Sequence, residues 1–188
     1  MICLLGIGNV LMGDDGLGPY VLICLEARWV LPASVCVLDA GTPGLDLTLF
    51  IDGMDALIAV DALKASGAPG EVRRFGRADL LEGALPVVMS PHEPSLREAL
   101  ARLDLLGRAP RDVLLVGAIP ELVATGAPLS EVVRRAVPEI EAQILHELSR
   151  LGARVAPRLP ARTPDIWWEP LARFEQAQTA CASAFPAR

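Results

Sequence analysis

The chain predicts an α/β fold, a three-layer sandwich in which about five strands form a mostly parallel twisted sheet with helices on both faces. Three observations lead there. Short runs of Val, Ile and Leu alternate with segments whose apolar residues recur every three to four positions. Most of those short runs are apolar at every position, as strands covered on both faces require. With 188 residues, 52% of them hydrophobic and 21% charged, the chain can bury one core and is too short for two full domains.

The candidate strands are Ile2 to Ile7, Val35 to Leu38, Ala56 to Val60, Gly70 to Phe75 and Val113 to Val116. The Gly70 run is the most polar and follows Gly67-Ala-Pro-Gly70, which marks it as an edge strand, open to antiparallel pairing. A first helix is expected after Asp14-Asp15, running to about Val30, with Gly16 and Pro19 in its first turn, where a missing N–H costs least. A short helix follows Thr42-Pro43-Gly44. From Ser90 to Leu106 two overlapping capping boxes, Ser90 with Glu93 and Ser95 with Glu98, precede Leu96, Ala99, Leu100 and Leu103 on one face.

The last long helix is expected from about Leu129 to Leu151, with Val133, Val137, Ile140, Ile144, Leu148 and Leu151 inward, a kink at Pro138 and Gly152 past its end. Residues 1–155 therefore read as a single α/β domain. Residues 156–188 read as a Pro/Arg/Ala-rich tail, poorly ordered or draped on the surface, in which Trp167-Trp168 is the one strongly apolar patch.

The formal net charge is -6 and the arginines are dispersed, so no electrostatic footprint for nucleic acid is present. Cys3, Cys24, Cys36 and Cys181 form no CxxC pair, and the first three lie in apolar runs where a reduced thiol acts as a small buried hydrophobe. No basic region precedes the first apolar residues, and no apolar stretch approaches the roughly 18 residues of a membrane helix. The expectation is a cytoplasmic protein with neither a membrane nor a nucleic-acid partner.

Chemistry concentrates at strand ends. The opening strand breaks into Gly6-Ile-Gly8-Asn9, followed by Gly13-Asp14-Asp15-Gly16. A dinucleotide fingerprint wants a third glycine where Leu11 stands, and two carboxylates at a helix N-terminus repel a phosphate. Asp39, closing the second strand as a ribose-binding acid would, is the one feature that favours a nucleotide. Helix capping accounts for one of Asp14 and Asp15, leaving the other for ligand chemistry. Asp61 also closes a strand, so parallel strands would bring Asp15 and Asp61 to one crevice.

His92, after Ser90-Pro91, falls in the first turn of a helix if Ser90 caps it. The helix dipole there disfavours imidazolium and keeps a neutral ring available to metal. His146, the other histidine, lies deep in the last helix. Two carboxylates and one imidazole would make an open metal site, suited either to catalysis or to reading a metal held by something else. No G-x-S-x-G elbow, H-E-x-x-H helix or P-loop occurs, and no cysteine falls in a polar strand-end loop.

These residues resemble the hydrogenase maturation proteases, which trim the large subunit of nickel-iron hydrogenases. The likeness rests on Gly6-Ile-Gly8-Asn9 with Asp14-Asp15-Gly16, on Asp39-Ala-Gly41-Thr42-x-Gly44, and on Asp61 with Ser90-Pro91-His92; Val116-Gly117-x-Ile119-Pro120 is also similar. Together they span about residues 1–152. The resemblance implies a five-stranded twisted sheet between helices and a metal site of Asp15, Asp61 and His92, which would also be the catalytic residues. Some members carry glutamate where this chain has Asp15.

Asp39, Gly41 and Thr42 match a loop tied to substrate recognition. The implied activity is one cut that removes a C-terminal extension from a hydrogenase large-subunit precursor after nickel insertion. The nickel would come with the substrate, no permanently bound metal is expected, and the protein would act as a monomer. Two roles for the metal stay open: activating water and positioning the scissile peptide, or serving as a recognition handle while Asp15 or Asp61 acts as base. A non-cleaving nickel-site chaperone and a nucleotide-binding enzyme are the competing functions.

Overall fold

The computed structural model describes residues 1–42, 47–81 and 93–169. Its main sheet holds β1 (Ile2–Ile7), β3 (Val35–Gly41), β4 (Ala56–Ala62), β5 (Val72–Gly76) and β6 (Asp112–Ala118) in the order β3-β1-β4-β6-β5. All neighbours are parallel except β5, which runs antiparallel to β6 at the edge. The expected edge strand is thus the one that reverses.

Side-chain alternation in the three central strands builds two cores. Ile2 and Leu4 of β1, Ile58 and Val60 of β4, and Leu114 and Val116 of β6 pack with α1 (Leu17–Arg28) and α5 (Glu131–Arg150). Cys3, Leu5 and Ile7, Leu57 and Ala59, and Val113 and Leu115 pack on the opposite face with α2 (Thr48–Ile51), α3 (Arg77–Leu81) and α4 (Glu93–Leu105). Both faces of β1, β4 and β6 are therefore apolar because both are covered, and the three-layer sandwich is the result.

Three boundaries differ from expectation for identifiable reasons. α1 stops at Arg28, because Trp29 turns extended and Trp29–Val30 forms β2, antiparallel to β7 (Ala156–Pro157). α4 is described from Glu93 on, which puts Ser95 within the helix, while Ser90 falls outside the described residues. Leu96, Ala99, Leu100 and Leu103 face the core as their spacing requires. α5 starts after Ser130, whose Oγ accepts from Val133 N at 3.3 Å, and it continues through Pro138 as one element. It closes with Gly152 N on Ser149 O at 3.0 Å and Ala153 N on Leu148 O at 2.9 Å, the paired bonds of a Schellman ending.

The stretch 156–169, expected as part of a poorly ordered or surface-draped tail, lies on the body. Besides the β2–β7 pairing, Arg162 N donates to Ala27 O at 2.8 Å, and Trp168 is buried in the core shared by α1 and α5. Glu169 pairs with Arg134, whose Nη1 also donates to Tyr20 Oη at 2.6 Å. One apolar side chain with a charged anchor suffices to dock an otherwise polar segment; residues 170–188 lie outside the described ones. Trp168→Ala should cost about 3 kcal/mol by loss of burial, or roughly 6–12 °C in Tm at this chain length. Thermal denaturation checks it; an unchanged Tm would mean the docking adds nothing.

Candidate functional site

The chain enters the sheet at β1, adds β3 on one side and returns to place β4 on the other, so the strand order reverses between β1 and β4. At such a switch point the connections leave in opposite directions and open a crevice beyond the strands' carboxyl ends. Both aspartates of interest lie there. Gly6 is level with Val60 in the β1–β4 register, which puts Asp61 one step beyond it, beside the end of β1.

The turn after β1 is built around Asp15. Asn9 N donates to Asp15 Oδ2 at 2.9 Å, and Asn9 Oδ1 accepts from Leu11 N at 3.0 Å, closing the loop on itself. Gly8 has φ +130, and a Cβ there would lie 1.8 Å from Asp15 O, so only glycine lets the strand exit pass under the acidic turn. Residues 13–16 form a 3₁₀ turn that leads directly into α1. At the start of α1, Gly18 presses against the carbonyl oxygens of Ile7 and Val60, seating the helix on the ends of β1 and β4.

Neither aspartate caps that helix, for which Gly16 is the N-cap with no side-chain bond. Asp14 is instead fully buried and accepts three backbone N–H groups from another loop. Glu121 N and Leu122 N reach Oδ2 at 2.8 Å each, and Ser130 N reaches Oδ1 at 2.6 Å. Its own N–H returns a bond to Leu122 O at 2.9 Å. Asp14 is thus a structural staple holding the loop after β6 against the turn. Asp15, 7% exposed, has Oδ2 committed to Asn9 N, and among the described residues its other oxygen accepts no hydrogen bond.

Asp61 is 2% exposed, and its Oδ1 accepts from the next residue's N–H, Ala62 N, at 2.8 Å. On its far side it pairs with Gly117 of β6, where a Cβ would stand 1.8 Å from Asp61 O. Gly117→Ala should therefore push the end of β4 aside. Such overpacking costs about 1–3 kcal/mol, and the displaced Asp61 should lower activity even at temperatures where the variant is folded. Activity per folded molecule equal to wild type would contradict this.

Asp39, Gly41 and Thr42 come together. They line, with Gly8, Asn9 and Val10, a cleft of about 170 Å³ beside the acidic turn. A register shift between Gly6 and Ile7 against β3 bends this strand end, Gly41 N donates to Asp39 Oδ1 at 2.8 Å, and Gly8 N donates to Gly41 O at 2.8 Å. An irregular strand end that turns side chains toward a cleft is common beside sites. His92 lies outside the described residues, and His146 is exposed on α5.

Burial pushes the Cys3 thiol up to about 12, with Cys36 adding to it, and burial raises the Cys24 thiol to about 11. Neither supplies a thiolate near neutral pH, so neither is a nucleophile. What sequence reading missed was the division of labour between Asp14 and Asp15. The acceptor role of Asp14 depends on amides more than a hundred residues away, and no local pattern signals it.

An α/β layer with buried carboxylates at its switch point and a glycine-lined cleft beyond the ends of β1 and β3 has the build of a site that takes a ligand. Residues 19–147 match the family HycI, hydrogenase maturation protease. The hydrogenase 2 maturation protease of Escherichia coli K12 is 32% identical over 158 residues, 84% of this chain and 96% of that protein. The hydrogenase expression/formation protein HupD of Bradyrhizobium diazoefficiens is 34% identical, over 82% of this chain and 85% of its own. The hydrogenase maturating endopeptidase HybD from E. coli superposes with a TM-score of 0.78 at 31% identity, covering 85% of this chain and 99% of that one. This chain belongs to the hydrogenase maturation protease family, and its chemistry is that of an endopeptidase.

Proposed function

We propose that this chain removes the C-terminal extension of a nickel-iron hydrogenase large-subunit precursor, and that its site reads nickel already held by that substrate through Asp15, Asp61 and His92. The observation that carries the reading is the pair of buried carboxylates at the β1–β4 switch point, beside the cleft lined by Asp39, Gly41 and Thr42. Carboxylate oxygens and an imidazole are borderline-hard ligands that suit a divalent first-row ion. A three-ligand set leaves positions for the substrate's own ligands and for water.

In this reading the substrate arrives with its metal, so the site needs no resident ion. The carboxylates and His92 hold the metal-bearing end of the precursor and set the scissile peptide beside the acidic turn. A water then adds to the peptide carbonyl, the C–N bond breaks, and one of the water's protons passes to the departing amine, carried in this reading by a carboxylate of the pair. Asp39, Gly41 and Thr42 contact the chain flanking the cut. The protein acts as a monomer in the cytoplasm, and among the described residues no helix is long and apolar enough to cross a membrane.

The ligand assignment is tested by His92→Ala. Cleavage of the nickel-loaded precursor should be abolished while Tm stays within a few degrees of wild type. Full activity would remove His92 from the site.

A further inference from the structure

Loops anchored by Asp14 carry an apolar ridge that the catalytic reading does not use. Leu11 is 50% exposed, Leu122 48% and Val123 46%. Singly exposed leucines are ordinary, but these three lie on two loops tied together at several points. Leu122 O accepts from Asp14 N at 2.9 Å, Leu11 O accepts from Gly126 N at 2.8 Å, and Thr125 Oγ1 meets Met12 Sδ at 3.2 Å. Gly13 is close enough to the second loop that a Cβ would lie 2.7 Å from Leu122 O and 3.3 Å from the Ala127 methyl.

The ridge is therefore rigid before any partner binds, because the fully buried Asp14 carboxylate holds its base with three amide bonds. It is also continuous with the site. Leu11 precedes Asp15 by four residues in the same turn, and the amide of Asn9 that holds Asp15 belongs to the same loop. Fixed apolar side chains at the lip of a cleft serve a ligand whose own apolar groups pass over that lip.

We infer that Leu11, Leu122 and Val123 form a specificity surface for apolar side chains of the substrate peptide near the cut. This rests on the endopeptidase reading above. A surface used equally in ground and transition states sets KM and leaves kcat little changed.

The test measures cleavage kinetics on nickel-loaded precursor for Leu11→Ser, Leu122→Ser, Val123→Ser and the triple variant, with the cut located by the mass of the released fragment. The triple variant should raise KM at least about tenfold with kcat within about threefold of wild type. Replacing apolar residues of the precursor near the cut with serine should raise KM for wild type by a similar factor and add little in the triple variant. The single variants, altered only at exposed positions, carry the same test where the triple variant melts below the assay temperature.

Unchanged KM in every variant, with wild type cleaving normally, overturns the inference. So does a raised KM that adds fully to the precursor substitutions, since the ridge would then dock something other than the peptide. Failure of wild type to cleave at all counts instead against the endopeptidase reading.

Discussion

Replacing Asp61 with asparagine is expected to lower cleavage of the nickel-loaded precursor at least 100-fold, a typical loss for a proton-handling or metal-holding carboxylate, while leaving the fold intact. The stability half follows from geometry. Asp61 Oδ1 accepts from Ala62 N at 2.8 Å, and an asparagine carbonyl oxygen accepts that bond equally well. The activity half follows from charge, since an amide neither draws a cation nor carries a proton at neutral pH. Asp15→Asn should behave alike, keeping the acceptor for Asn9 N and losing the anion. Cleavage rates and thermal melts of the two variants check this; an Asn variant with wild-type rates would take that carboxylate out of the chemistry.

Asp14→Ala is expected to do the reverse. Its fully buried carboxylate accepts from Glu121 N, Leu122 N and Ser130 N, so its loss leaves three part-buried donors without their acceptor. At about 1–3 kcal/mol for each unsatisfied group, and with partial relaxation of the loop, the cost should be about 3–6 kcal/mol. That corresponds to a fall in Tm of roughly 6–24 °C. Asp14→Asn should fall between, because its amide nitrogen would face one of the three donors. Two adjacent aspartates would then separate cleanly, one in a stability assay and one in a kinetic assay. Equal behaviour of the Asp14 and Asp15 variants would contradict the division of labour.

Much of the fold was legible because its strands are buried on both faces. β1, β4 and β6 read as unbroken apolar runs, and the polar run after Gly70 turned out to be the antiparallel edge. Strand ends were read short: β3 continues to Gly41 and β4 to Ala62, because pairing and the close approach of Gly117 carry the ladder past the last apolar residue. The docking of 156–169 stayed open in the sequence because it depends on Trp168 and on backbone bonds to Ala27 and Arg28, which are long-range and leave no periodic trace.

At the proposed site, strand-end position pointed to Asp15, Asp39 and Asp61, and the family likeness added Gly41 and Thr42. The family likeness gave them their roles. The role of Asp14 could not be read locally, because any acidic residue before a helix looks like a cap until the loop that actually donates to it is placed.

The central claim is that this chain cuts a hydrogenase large-subunit precursor because the precursor carries nickel. Its most direct test is the intact mass of that precursor after incubation with this protein, in nickel-loaded and nickel-free forms side by side. Loss of a C-terminal fragment from the loaded form alone is the predicted result. Equal cleavage of both forms would contradict metal reading by Asp15, Asp61 and His92, and a stable complex with no cleavage of either form would contradict the proteolytic function itself.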